Sequence, residues 1–263
     1  MSDPLPTVRM SQRQNEGCGI EQGSVGNGLL RVLRPEDFAA LSPFLQRVPL
    51  ELGSTLARAG ERIDEICFPE AAVIGLIDVL ESEQRLAIAL SGREGFVGWP
   101  LVLGSDRWPH EAVVRAKQGT ALKIRAVDLL AILDTHPLIR TVLLRYAMTL
   151  MTQMTRTIVS NLIHPVDRRT ARWLLLYHDR IDGDEIAITH EELGLMLGVR
   201  RSTITDALHQ LEGSGVLRGY RGRLMICDRG QLEALAGETY GFAEREYARL
   251  LISNPLQSER PFP

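Results

Sequence analysis

The sequence predicts an α+β protein in three parts, on three patterns. Over residues 52–125, short apolar runs alternate with turn residues, as in a β-roll or sandwich. Over residues 135–163, apolar side chains recur at helical spacing on two adjoining faces. Over residues 189–226, two short helical patterns lead into two strand-like runs around a tight turn.

At 263 residues and 44% hydrophobic content, the chain is long enough for two cores. No apolar run is long enough to span a bilayer, and no charged start is followed by an apolar block, so a cytoplasmic location is expected. Cys18, Cys67 and Cys227 are too widely spaced to suggest a disulfide framework or a metal set, and Cys67 is expected to be buried in a strand.

Taken in order, residues 1–27 are rich in Ser, Gln, Asn and Gly without periodicity, and a flexible arm is expected. Residues 28–134 form the first folded unit, opening with a short helix over 35–45. Strands follow at 65–68, 72–77, 85–90 and 121–124. The loop 92–98 contains Gly92, Arg93, Glu94, Gly95 and Gly98. Its backbone freedom suits a phosphate cradle, but a plain hairpin turn needs the same freedom and is the preferred reading. Trp99, Trp108 and Pro109 could wall an apolar pocket or fill a core.

In the helix of residues 135–163, one stripe joins residues 143, 147, 150, 154 and 158, and a second joins Leu144, Met148, Met151 and Leu162. Arg145, Thr149, Thr152 and Arg156 mark the wet side. An arc this wide allows the helix to pack on its own roll and on a partner copy, although burial within a monomer would leave the same pattern. His164-Pro165 then breaks the helix and forms a hinge.

Residues 164–228 read as a winged helix-turn-helix. Thr189 and Glu192 have capping-box spacing, Leu193, Met196 and Leu197 share a face, and Gly198 stands where a left-handed residue ends the helix. Ile204, Leu208 and Leu211 make the buried stripe of the second helix. Its other face carries Ser202, Thr205, Asp206 and His209, with Arg200 and Arg201 at its start, a set suited to base edges in the major groove. Two strands around residues 219–222 form the wing. The whole chain has a net charge of −3, yet over residues 200–226 Arg200, Arg201, Arg218, Arg221 and Arg223 outnumber Asp206 and Glu212. Phosphate contact depends on that local field. Residues 229–263 are expected to be a helical extension and tail.

The ordered set Ile188-Thr189, Glu192-Leu193, Gly198, Arg201-Ser202-Thr203, Leu208, Leu211-Glu212 and Val216-Leu217 resembles the Crp/Fnr superfamily of bacterial transcription regulators. The resemblance covers residues 33–229. It implies a cyclic-nucleotide-binding-like β-roll (a double-stranded β-helix), a long dimerisation helix and a C-terminal winged helix-turn-helix. It further implies a homodimer on a pseudo-palindromic site in double-stranded DNA, with RNA polymerase as a partner if the protein activates. The dimer seam falls on Leu144, Met148, Met151, Ile158 and Leu162. The base-reading positions map onto Arg201, Ser202 and Asp206. Arg200, Thr205 and His209 share the exposed side, while Thr189, Thr203, Arg221 and Arg223 are placed for phosphates.

Two departures from the family pattern matter here. The cyclic-AMP-responsive members have glutamate where Ser202 stands and arginine where Asp206 stands. Asp206 could accept from cytosine N4 or orient Arg201 or Arg200, and the orienting role is the expectation. In the roll, Trp99, His110 and Glu111 occupy the positions of the ribose and phosphate contacts of those members, so cyclic-AMP dependence is not expected. Arg93 and Glu94 complete the effector-pocket candidates. Cys18 is the one cysteine of the arm, where the iron–sulfur branch has most of its four, and His110 as a haem ligand is set against an exposed loop histidine. The effector is unknown, and no cofactor or metal is expected. The rival reading is a metabolite-sensing module whose output is a protein contact. An enzyme is not expected, since Cys67, Ser91 and His110 show no nucleophile–base arrangement.

Overall fold

The computed structural model describes residues 19–82 and 84–253. A 3₁₀ turn (Gln22–Ser24) leads into helices α1 (Gly28–Arg31) and α2 (Pro35–Leu41). The flexible arm expected through residue 27 gives way to packed chain before that point. Asn27 is buried, and its Nδ2 donates to the carbonyls of Pro69 and Gly95, each at 2.8 Å, while its Oδ1 caps α1. Residues 1–18, with Cys18, lie outside the described residues.

The roll comprises β1 (Gln46–Leu50), β2 (Thr55–Ala57), β3 (Glu65–Pro69), β4 (Val73–Val79), β5 (Arg85–Ser91), the short helix α3 (Trp99–Val102), β6 (Glu111–Arg115) and β7 (Gly119–Arg125). Two antiparallel sheets face each other, in the orders β1-β7-β3 and β2-β6-β4-β5. β4 is buried from Val73 to Ile77 as an almost unbroken apolar run, because both its faces are covered. Cys67 is buried on β3, where loss of water pushes its thiol up to about 12 and leaves it protonated at neutral pH.

Helix α4 (Ala126–Thr135) is followed by α5 (Pro137–Ile163), about 40 Å long at 1.5 Å per residue. α5 ends at His164-Pro165, where proline opens the next helix, α6 (Val166–His178). Then come β8 (Glu185–Ile186), α7 (His190–Leu197), α8 (Arg201–Gly213), β9 (Leu217–Tyr220), β10 (Arg223–Ile226) and α9 (Arg229–Ala236). The wing is a three-stranded sheet in the order β8-β10-β9, with β8 contributing a strand that the sequence pattern does not reveal. After α9 the chain returns through α10 (Phe242–Tyr247) and a π-helical turn (Ala248–Ile252) to lie along α5.

One core fills the roll and takes in the buried face of α5. The other joins α6, α7, α8 and the wing to Val73, Ala87 and Leu90 of the roll. The C-terminal unit therefore packs on the outer face of β4 and β5 without a solvent gap. Arg93 and Lys117 both pair with Asp182 across this junction, at 2.8 and 3.0 Å.

Candidate nucleic-acid interface

The two-helix turn is built by local chemistry. The Glu192 amide donates to Thr189 Oγ1 at 3.2 Å, and Glu192 Oε2 accepts from the Thr189 amide at 2.9 Å, closing the capping box. Gly198 ends α7 at φ 65° and ψ 34°, a conformation that disfavours a side chain. Leu193, Met196 and Leu197 on α7 and Ile204, Leu208 and Leu211 on α8 are buried against one another.

That packing leaves Arg201, Ser202, Asp206 and His209 exposed on α8, with Arg200 just before it. Thr203 is half-buried. Thr205 is partly withdrawn from the surface, since its hydroxyl donates to the Arg201 carbonyl at 3.1 Å and lies 3.0 Å from His190 Nδ1. Burial, reinforced by the Arg201 charge, lowers the His190 pKa and favours the neutral ring. On the wing, Arg218 and Arg221 are exposed as well. Among the described residues, Arg200, Arg201, Arg218 and Arg221 make no ion pair, which leaves four guanidinium groups open to an external anion. Arg223 pairs with Glu185 at 3.1 Å and lies over the Tyr220 ring. Thr189 spends its hydroxyl on the cap.

Asp206 departs from expectation. Among the described residues it pairs with neither Arg200 nor Arg201. Helix geometry explains this, because a residue five positions on is rotated by about 140° from Arg201 and cannot fold back to it. Asp206 instead shares a stripe with Ser202 and His209.

On α5 the two faces separate cleanly. Leu143, Tyr146, Ala147 and Leu150 are buried, whereas Leu144, Met148, Met151, Ile158 and Leu162 are exposed at spacings of three, four or seven, from 36% for Leu144 to 79% for Leu162. Ile158 thus stands on the outer stripe, although the sequence pattern also allows it on the inner one. Thr149, expected on the wet side, is buried over the roll with its hydroxyl on the Tyr146 carbonyl. Arg145 and Arg156 are also covered. Arg145 donates to the Leu250 carbonyl at 3.0 Å, and the Arg156 guanidinium lies 4.1 Å from the centre of the Phe242 ring.

The effector candidates divide into two groups. His110 is not an exposed loop residue but is 4% exposed, stacked on Trp99 with ring centroids 5.8 Å apart, and burial pushes its pKa down to about 4. Glu111 pairs with Arg85 on the roll surface. Arg93 and Glu94, by contrast, line a cavity of about 570 Å³ between the roll, α5 and α10, which Trp99, His110 and Glu111 do not touch. In the loop they belong to, Gly95 passes so close to Tyr146 that an added Cβ would fall 1.9 Å from its ring. Close packing accounts for this glycine. Arg180, Glu244 and Tyr247 also line the cavity and escape sequence reasoning, because they come from distant parts of the chain.

Among the described residues, no group of His, Cys, Asp or Glu is placed to hold a metal ion, and no helix is long and apolar enough to cross a membrane.

A β-roll and a winged helix-turn-helix are joined by one long helix. Residues 168–235 match the Crp-like helix-turn-helix domain. The fold is similar to that of a CRP-family transcriptional regulator from Thermus thermophilus, at 16% identity and TM-score 0.61, covering 73% of this chain and 97% of the other. FixK2 from Bradyrhizobium japonicum is similar at 14% identity and TM-score 0.63, covering 73% and 98%. The c-di-GMP responsive global regulator CLP of Xanthomonas campestris is similar at 17% and 0.59, covering 73% and 99%. A comparison with curated protein sequences finds no match. Residues 168–235 are thus a Crp-like helix-turn-helix domain, and the chain shares its overall fold with these regulators.

Proposed function

We propose that the protein is a sequence-specific, cytoplasmic DNA-binding transcription regulator without enzymatic activity. It acts as a homodimer on a pseudo-palindromic site and does not depend on cyclic AMP. The reading rests above all on the exposed stripe of α8, where Arg201, Ser202, Asp206 and His209 stand beside unpaired arginines at the end of a tight two-helix turn. In this reading residues 28–134 form the effector-like roll, 135–163 the dimerisation helix and 164–228 the DNA-binding domain.

The exposed stripe of Leu144, Met148, Met151, Ile158 and Leu162 supports pairing of two copies along α5. Such a pair presents two recognition helices to successive major grooves about 34 Å apart. Arg221, Arg223, Thr189 and Thr203 hold the backbone, and RNA polymerase is the further partner if the protein activates. Independence from cyclic AMP is supported by Trp99 and His110, which stack on each other where the family resemblance places the nucleotide contacts.

Selection of bound fragments from random double-stranded DNA tests the reading. A two-fold related consensus is expected. Recovery of no consensus at low salt would overturn it in favour of a protein-contact output.

A further inference from the structure

The cavity between roll, α5 and α10 is lined by charged groups with hydrogen-bonding positions that the fold leaves open. Arg180 is its floor, only 7% exposed. Its Nε donates to Glu94 Oε1 at 2.8 Å and its Nη1 to the Leu176 carbonyl at 2.6 Å, while Nη2 makes no hydrogen bond among the described residues. One wall is α10, where the Glu244 carboxylate and the Tyr247 hydroxyl also make no hydrogen bond or ion pair among the described residues. Leu150 and Ala243 add apolar surface.

The Nη2 edge of Arg180 is therefore open to donate, and the Glu244 carboxylate open to accept, at the surface of the cavity. A simple anion on Arg180 Nη2 would face Glu94 and Glu244, and a simple cation on Glu244 would leave that Nη2 without an acceptor. A molecule carrying both charges engages both groups. We propose that this cavity binds a small zwitterion of α-amino-acid type, its carboxylate on Arg180, its ammonium on Glu244 and its side chain along Leu150 and Ala243. At about 570 Å³ the cavity has room for a sizeable side chain.

The site touches parts that report on one another. Arg180 follows α6, the first helix of the C-terminal unit, Glu94 belongs to the roll, and Glu244 lies on the returning segment. A ligand joining them clamps the C-terminal unit to the roll, an effect on DNA that rests on the regulator reading above.

Binding itself does not rest on that reading, so the test uses the full-length protein without DNA. Calorimetric titration with each standard L-amino acid is expected to find at least one that binds. Glu244→Gln, at a partly exposed position that should not disturb folding, is expected to weaken it about tenfold or more, as is replacing that amino acid by its N-acetyl form. Glu111→Gln should leave it unchanged. Absence of any binder, or a binder indifferent to both Glu244→Gln and N-acetylation, would overturn the proposal.

Discussion

Arg172 Nη2 donates to the backbone carbonyl of Gln153 at 3.2 Å, so α6, the first helix of the C-terminal unit, is bonded directly to the middle of the long helix. The same guanidinium donates from Nη1 to Thr157 Oγ1 at 3.1 Å and from Nε to the Thr239 carbonyl at 3.0 Å. It is buried, and loss of water lowers its pKa to about 10, still well above neutrality. One side chain thus ties together α5, α6 and the segment returning from α9. Arg172→Met would strand three acceptors and is expected to cost about 2–4 kcal/mol. Arg172→Lys should rescue little, since one ammonium cannot reproduce the planar fork. Denaturant unfolding checks both, and a loss below about 0.5 kcal/mol for either would count against the role.

Met151 sits in the middle of the exposed stripe of α5, 47% accessible in the protomer. Met151→Asp should therefore leave the protomer folded and yet place an unpaired carboxylate in the seam of the pair. Light scattering is expected to give a monomer mass. A folded dimer would remove this face from the interface.

Arg201 and Arg221 are both unpaired, but they stand on different elements and should behave differently. Arg201→Ala is expected to relax preference at one base pair, by about 1–3 kcal/mol of discrimination. Arg221→Ala should weaken all sequences alike and reduce the salt slope by about one. Since no arginine among the described residues pairs with Asp206, Asp206→Ala is expected to remove a preference for cytosine. Site selection with the three variants separates these outcomes, and loss of guanine preference in Asp206→Ala would restore the orienting role.

His110 makes stability sensitive to acid. Its pKa in the folded protein is about 4, below the ordinary 6.5, so as pH falls the unfolded chain takes up the proton first. This stabilising contribution is complete above about pH 6.5 and is lost as pH falls toward 4, on the order of 3 kcal/mol in all. His110→Phe should flatten this part of the profile. Melting curves from pH 7 to 4 test it, and parallel slopes in wild type and variant would refute it.

Calorimetric titration with cyclic AMP should show no binding to the free protein, and DNA binding should not require it. Micromolar affinity would show that Trp99 and His110 do not close the site.

Much of the architecture was legible in the sequence because it is local. The capping pair Thr189 and Glu192, the left-handed Gly198 and the apolar spacing of α8 each act within a turn or two. What failed was long-range or finely angular. Asp206 was expected to orient Arg201 or Arg200, but separations of five and six residues put it on another stripe. His110 looked exposed because nothing near it in sequence announces the Trp99 ring. Thr149, Arg145 and Arg156 form a proper polar face, and periodicity does not say what will later cover it. Arg172 left one trace, a lone charge between Ala171 and Trp173 in an otherwise apolar run.

The return of the chain along α5 has a consequence for the order of folding. Leu251 is buried in the same core as Leu29, Phe68 and Leu122, and Tyr247 and Leu250 pack against it. A ribosome delivers those early residues long before Leu251, with the entire helix-turn-helix in between. The roll therefore cannot close its core as soon as its own strands emerge. It must wait for a piece supplied after the second domain, so the two domains mature together during synthesis and not one after the other.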